Sequence, residues 1–106
     1  MPKYLISASY SAEGLKGLQR DKASGRRTAV TAAVEGVGGK VECLYYALGE
    51  DDAYVIVDLP DNVSAAALGI AVSAAGAART RTTALKTVEE VDRALEKSVN
   101  YRAPGR

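Results

Sequence analysis

The sequence predicts one α+β domain of ferredoxin-like βαββαβ order, with a four-stranded antiparallel sheet and an extra C-terminal helix. Three observations carry this prediction. Four segments show strand alternation or β-branched content, and two helical patterns separate them in the order strand, helix, strand, strand, helix, strand. The turn Gly49-Glu50-Asp51-Asp52 joins the middle two strands as a hairpin. The chain has 106 residues, enough for one domain and too few for two.

The first strand spans Lys3–Tyr10, with Tyr4, Ile6, Ala8 and Tyr10 on one face and Leu5, Ser7 and Ser9 on the other. Ser11 is a suitable N-cap and Glu13 suits the first turn of the helix that follows. Gly14 and Gly17 weaken that helix, and residues 21–25 read as a break or kink. Helix resumes near Arg26, where Val30, Ala33, Val34 and Val37 form an apolar stripe, and Gly38-Gly39 ends it. The second strand is expected over residues 40–48. Val41, Cys43, Tyr45 and Ala47 fall on one face, and Glu42, Leu44, Tyr46 and Leu48 on the other. The third strand covers residues 53–59 and stops at Pro60, which cannot donate to a ladder.

Asp61 or Asn62 caps a helix over residues 63–75, with Val63, Ala66, Ala67, Ile70 and Ala74 as its expected inner stripe. Ala78–Leu85 is the fourth strand, where Thr80, Thr82 and Thr83 suit β structure. Thr87-Val88-Glu89-Glu90 is a capping box opening a last helix with Val88, Val91 and Leu95 on one side. The domain is placed at residues 1–101, with 102–106 as a tail.

Composition excludes several function classes. There is no histidine and only one cysteine, Cys43, so His-based general base catalysis, Ser–His triads, His/Cys zinc sites and internal disulfides are ruled out. Net charge is +1, which gives no footprint for nucleic acid. The longest apolar stretch, residues 63–78, is interrupted by Ser64, Gly69, Ser73 and Gly76, so no membrane span is expected. No signal peptide pattern opens the chain, and the expected location is the cytoplasm. Phe and Trp are absent, so the core is built from small side chains that gain from further burial in an oligomer.

The hairpin strands are apolar on both faces, yet two helices cover one face of such a sheet. A second copy of the chain, packed sheet to sheet, is therefore the expected partner, giving a homodimer or higher homo-oligomer. The last helix is the alternative cover for part of the free face.

Several segments resemble the GYD domain family. They are Lys3-Tyr4-Leu5, Ala8-Ser9-Tyr10, Glu13-Gly14-Leu15-Lys16-Gly17-Leu18, Arg79-Thr80-Arg81-Thr82-Thr83 and, above all, residues 54–66, which run YVIVDLPDNVSAA. The resemblance extends over residues 2–101. It implies a dimeric α/β barrel of ferredoxin-like protomers and implies no reaction. Gly49 and Asp52 keep the family's turn positions, while Asp51 stands where the resemblance places a tyrosine.

Arg79 and Arg81 share a strand face and suit a carboxylate or phosphate; the structural alternative is ion pairing with Glu42, Asp58 or a neighbouring subunit. Asp58, in an apolar strand, is the candidate catalytic base, or else an ion-pair partner. Tyr10, Tyr45, Tyr46 and Tyr54 line a pocket for an aromatic or apolar ligand, or else pack in the core and interface. Ser7 and Ser9 neighbour the fourth strand, and sequence leaves open whether they meet Arg79 and Arg81 or Thr80 and Thr82. Cys43 reads as a small buried hydrophobe rather than a reactive thiol. Arg26-Arg27 reads as a solvated helix face, with an anion site as the functional alternative.

Two functions remain. One is non-enzymatic binding of a small acidic or aromatic ligand between paired sheets, with no cofactor and no metal. The other is a cofactor-independent isomerase or oxygenase using Asp58 with the Tyr and Arg residues. Haem binding through Tyr or Cys has no supporting feature.

Overall fold

A computed structural model describes residues 1–106, and its elements follow the order β1 (Lys3–Tyr10), α1 (Ala12–Gly36), β2 (Lys40–Tyr46), β3 (Ala53–Asp58), α2 (Asn62–Ala74), β4 (Ala78–Leu85) and α3 (Val88–Leu95). The strands form one antiparallel sheet in the order β2-β3-β1-β4. This is the ferredoxin-like arrangement, in which α1 and α2 return across the same face of the sheet. No helix is long and apolar enough to cross a membrane.

Local chemistry sets the element ends where capping rules place them. Ser11 caps α1 by accepting from the Gly14 amide, and Asp61 caps α2 by accepting from the Ser64 amide. The reciprocal capping box of Thr87 and Glu90 starts α3. Gly38 follows α1 at a φ of 84°, a conformation that costs a residue with a Cβ. The core lies between the helices and the middle of the sheet. Tyr4, Val55 and Val57 from the strands meet Val34, Leu59, Ala65 and Leu68 there.

The structure corrects three expectations and narrows a fourth. β2 ends at Tyr46 rather than residue 48, because the Ala47 amide turns to donate to Asp52 O at 2.8 Å. A β-bulge at Glu42 shifts the alternation of β2: Val41 pairs with Val57 and packs against the core, while Cys43 pairs with Ile56 on the opposite face. Val41 therefore does not share a face with Cys43 and Tyr45. The break in α1 narrows to one residue, Lys22, at φ 66° and ψ 165°, with helix on either side.

The inner side of α2 is the third correction. Ala65 and Leu68 are buried, whereas Val63, Ala66, Ala67, Ile70 and Ala74 are exposed. This helix is apolar almost all round, so periodicity alone sets no phase. Leu68, its one leucine, is the side chain turned into the core.

α3 makes at most slight contact with any other element, and no residue along it is buried. It leaves the sheet face opposite α1 and α2 uncovered. The radius of gyration, 16.8 Å, exceeds the ~13 Å expected of a compact chain of this length. The long axis accordingly reaches 56 Å against 32 and 23 Å for the others.

Candidate functional site

The uncovered face of the sheet is graded from one end to the other. Its residues follow from alternation and register: Lys3, Leu5, Ser7 and Ser9 from β1; Tyr54, Ile56 and Asp58 from β3; Cys43 and Tyr45 from β2; Arg79, Arg81, Thr83 and Leu85 from β4. Leu5, Cys43 and Ile56 make its apolar middle and are half-buried. At one end Lys3 Nζ donates to Asp58 Oδ1 at 2.9 Å and to Glu42 Oε1 at 2.5 Å. The bond to Glu42, then that to Asp58, raises the Lys3 pKa.

The other end is polar, and the hairpin loop builds it. The Asp52 amide donates to Ala8 O at 2.8 Å, and the Asp52 carboxylate accepts from the Tyr10 amide at 2.8 Å. These bonds fasten the loop to the end of β1 and seat Asp51 against the sheet, where it is 5% exposed. Asp51 then gathers three donors. Ser9 Oγ donates to Oδ1 at 3.0 Å, Tyr54 Oη donates to Oδ2 at 3.4 Å, and Arg81 Nη2 also donates to Oδ2. The Ser9 hydrogen bond, aided by Arg81, holds the Asp51 carboxyl below its ordinary pKa. Such a carboxylate stays ionised at neutral pH and is a weak general base.

Arg81 is held at one side only. Its side chain is 70% exposed, so the guanidinium keeps donors free towards solvent. The register sets Ser7 opposite Arg81 and Ser9 opposite Arg79, which resolves the neighbour of both serines in favour of the arginines. Arg79 adds a second exposed positive charge to the same end of the face. The arrangement can accept an anion with two or more oxygens, which guanidinium matches in plane.

Four of the six sequence-predicted ligand residues lie at the same end of the open face: Arg79, Arg81, Tyr45 and Tyr54, with Tyr45 directly opposite Tyr54 and two strands between Tyr45 and the arginines. Tyr10 and Tyr46 lie on the helix-covered face instead. Burial, and then a hydrogen bond with Tyr10, pushes the Tyr46 pKa up to about 12, with Arg26 acting against the shift. Asp58 shares the open face but sits four residues along β3 from Tyr54, roughly 13 Å at strand rise. Its carboxylate is engaged by Lys3. Cys43 is half-buried in the apolar middle.

Asp51 is the residue that sequence reading missed, because an Asp between Glu50 and Asp52 reads as turn chemistry. The available signal was topological. In the order β2-β3-β1-β4, the hairpin turn, the end of β1 and the start of β4 all lie at the same end of the sheet. A turn carboxylate there has Ser9, Arg79 and Arg81 within its range.

A second concavity, a shallow groove of about 620 Å³ along α2 and β4, is lined by Ala, Gly, Ser, Thr and Ile70 and has no charged group. The family model described as the GYD domain matches residues 4–95. No curated protein matches the sequence.

Proposed function

The chain belongs to the GYD domain family, and from that premise we propose that it is a non-catalytic protein that pairs through its open sheet face and binds a small carboxylate there. The observation that carries this reading is the Asp51–Arg81 pair. A buried acceptor fixes the base of the site while the exposed guanidinium, beside Arg79, keeps its outer donors for a ligand. Tyr45 and Tyr54 flank the same end and suit an aromatic body on that ligand.

Pairing is supported by what the fold leaves wet. Leu5, Cys43, Ile56, Tyr45 and Tyr54 lie on a face that neither α1 nor α2 reaches and from which α3 stands away. A second copy of the same face would cover them. The setting proposed is the cytoplasm, where the lone Cys43 stays reduced.

Catalysis is the weaker reading. Asp58, its candidate base, is ion-paired with Lys3 at the far end of the sheet from the arginines. The test is a pair of measurements. Native mass spectrometry at micromolar concentration should give a dimer. Succinate, a small dicarboxylate without a ring, should raise the melting temperature, and Arg79→Ala with Arg81→Ala should abolish that rise. A monomer, or a rise untouched by the double variant, defeats the proposal.

A further inference from the structure

The helix-covered face holds a further concavity, unrelated to Arg81. α1 and α2 scarcely touch each other across the sheet. The facing positions Ala8, Ala29, Ala33 and Gly69 are too small to close the space between them. The result is a cleft of about 150 Å³ between the two helices, floored by the sheet. Ile6 and Ala8, in the middle of a central strand, are consequently only half-buried, and Val72 on the α2 wall is 36% exposed. Ordinary interiors leave no such gap between packed elements.

The polar groups of the cleft cluster at one end. Arg26 is the one charged residue in its lining. The nearest carboxylate, Asp21 Oδ2, is 4.0 Å away and half-exposed, at the outer limit of an ion pair. Arg26 therefore retains donors that no side chain of the protein occupies. Tyr10 and Thr80 also line the cleft, and Tyr46 lies beside Tyr10 within the influence of the Arg26 charge.

We propose that this cleft binds a small apolar carboxylate with a benzoate-sized body, the body between α1 and α2 and the carboxylate on Arg26. Volume selects the size, since a cavity of roughly 150 Å³ takes one benzene-like ring. A peptide helix, roughly 10 Å across, does not fit. Charge selects the acid, because an apolar slot with one unsatisfied guanidinium favours an anion over a neutral or cationic ligand. The basic pair Arg26-Arg27 is thus divided. Arg26 turns towards the cleft and is half-buried, while Arg27 stays exposed.

The site is independent of the open-face site, and one titration separates them. The ¹⁵N-labelled full chain is titrated with benzoate to millimolar concentration and followed by two-dimensional NMR. The expected result is movement of the Ala29, Ala33 and Gly69 amides. Movement confined to Ser9, Asp51 and Arg81 supports the open-face site and overturns this one, as does no movement at all. Toluene tests the slot without the charge, and acetate tests the charge without the body. Hexanoate distinguishes an alkyl from an aryl body.

Arg26→Gln is expected to weaken benzoate at least roughly tenfold, the scale of a charged hydrogen bond, and to leave toluene unchanged. Ala33→Leu fills the slot and is expected to remove the response to both. Should Ala33→Leu misfold, the split between benzoate and toluene in Arg26→Gln still decides the matter. Equal affinity of benzoate for wild type and Arg26→Gln refutes the assignment.

Discussion

Asp51 and Arg81, 30 residues apart in sequence, meet on the open sheet face with opposite exposures: the carboxylate is 5% exposed and the guanidinium side chain 70%. One partner is thus a fixed anchor and the other a held but accessible cation. Ser9 and Tyr54 donate to the same carboxylate, so three strands depend on one loop residue.

Asp51→Asn retains the shape and removes the charge. It is expected to destabilise the fold by more than Ser9→Ala, since all three donors lose their ionised acceptor. The pH dependence follows from the lowered Asp51 pKa. The unfolded carboxyl takes up its proton at a higher pH than the folded one. The stabilisation is present above the unfolded pKa and is lost as pH falls through the folded value. Denaturant melts across the acid range should therefore show a shallower acid limb in Asp51→Asn. A residual limb remains, because Asp61 and Glu90 also have lowered values as helix-capping acceptors.

Tyr46 sets an opposite limb. Its pKa is raised from 10.0 to about 12, so the folded state keeps a proton that the unfolded state releases. Stability from this group is complete below pH 10.0 and declines towards pH 12. Tyr46→Phe should unfold less steeply with pH across that window, as read by circular dichroism. Identical alkaline limbs would remove Tyr46 from the account.

Lys22 holds a backbone conformation, φ 66° and ψ 165°, that is nearly exclusive to glycine. Such strain costs on the order of 1–3 kcal/mol. Glycine adds back an unfolded-state entropy cost of about 0.5–1 kcal/mol. Lys22→Gly is therefore expected to stabilise by about 1 kcal/mol, raising the melting temperature by about 4–8 °C. A lower melting temperature would show that the kink is not strained.

Gly14 and Gly17 lie three residues apart in α1 and should respond to alanine with opposite signs. A Cβ on Gly14 would fall 1.9 Å from Ala77 O, the carbonyl that also accepts from the Ser11 amide at 2.9 Å. Backbone must move, at a cost of about 1–3 kcal/mol or more. A Cβ on Gly17 meets nothing nearer than the end of Arg20, at 4.0 Å. Gly17→Ala is expected to gain about 0.5–1 kcal/mol from helix propensity. Thermal melts of the two variants check the contrast.

Much of this architecture was legible because alternation and capping are local. Ser11, Asp61 and the Thr87–Glu90 box mark three helix starts from within their own first turns. The sharing of one face by Arg79 and Arg81 likewise follows from strand period. What resisted reading depends on partners distant in sequence. The Glu42 bulge has no turn residue to announce it, yet it moves Val41 to the other side of the sheet. The phase of α2 turns on Leu68 having more area to bury than its alanine neighbours, which a pattern of apolar positions does not weigh. The role of Asp51 exists only once β1, β3 and β4 bring Ser9, Tyr54 and Arg81 to it.

The detached position of α3 has a thermodynamic consequence of its own. A helix of eight residues with no packed face is shorter than the roughly 12–15 residues at which isolated helices become marginal in water. The capping box helps at one end but does not replace tertiary cover. Its helix–coil balance is therefore poised, and burial of Val88, Val91 and Leu95 by any surface tilts it towards helix. The arm acts as a built-in gauge: its far-ultraviolet helical signal should fade on dilution and return on association, even where the rest of the domain reports no change.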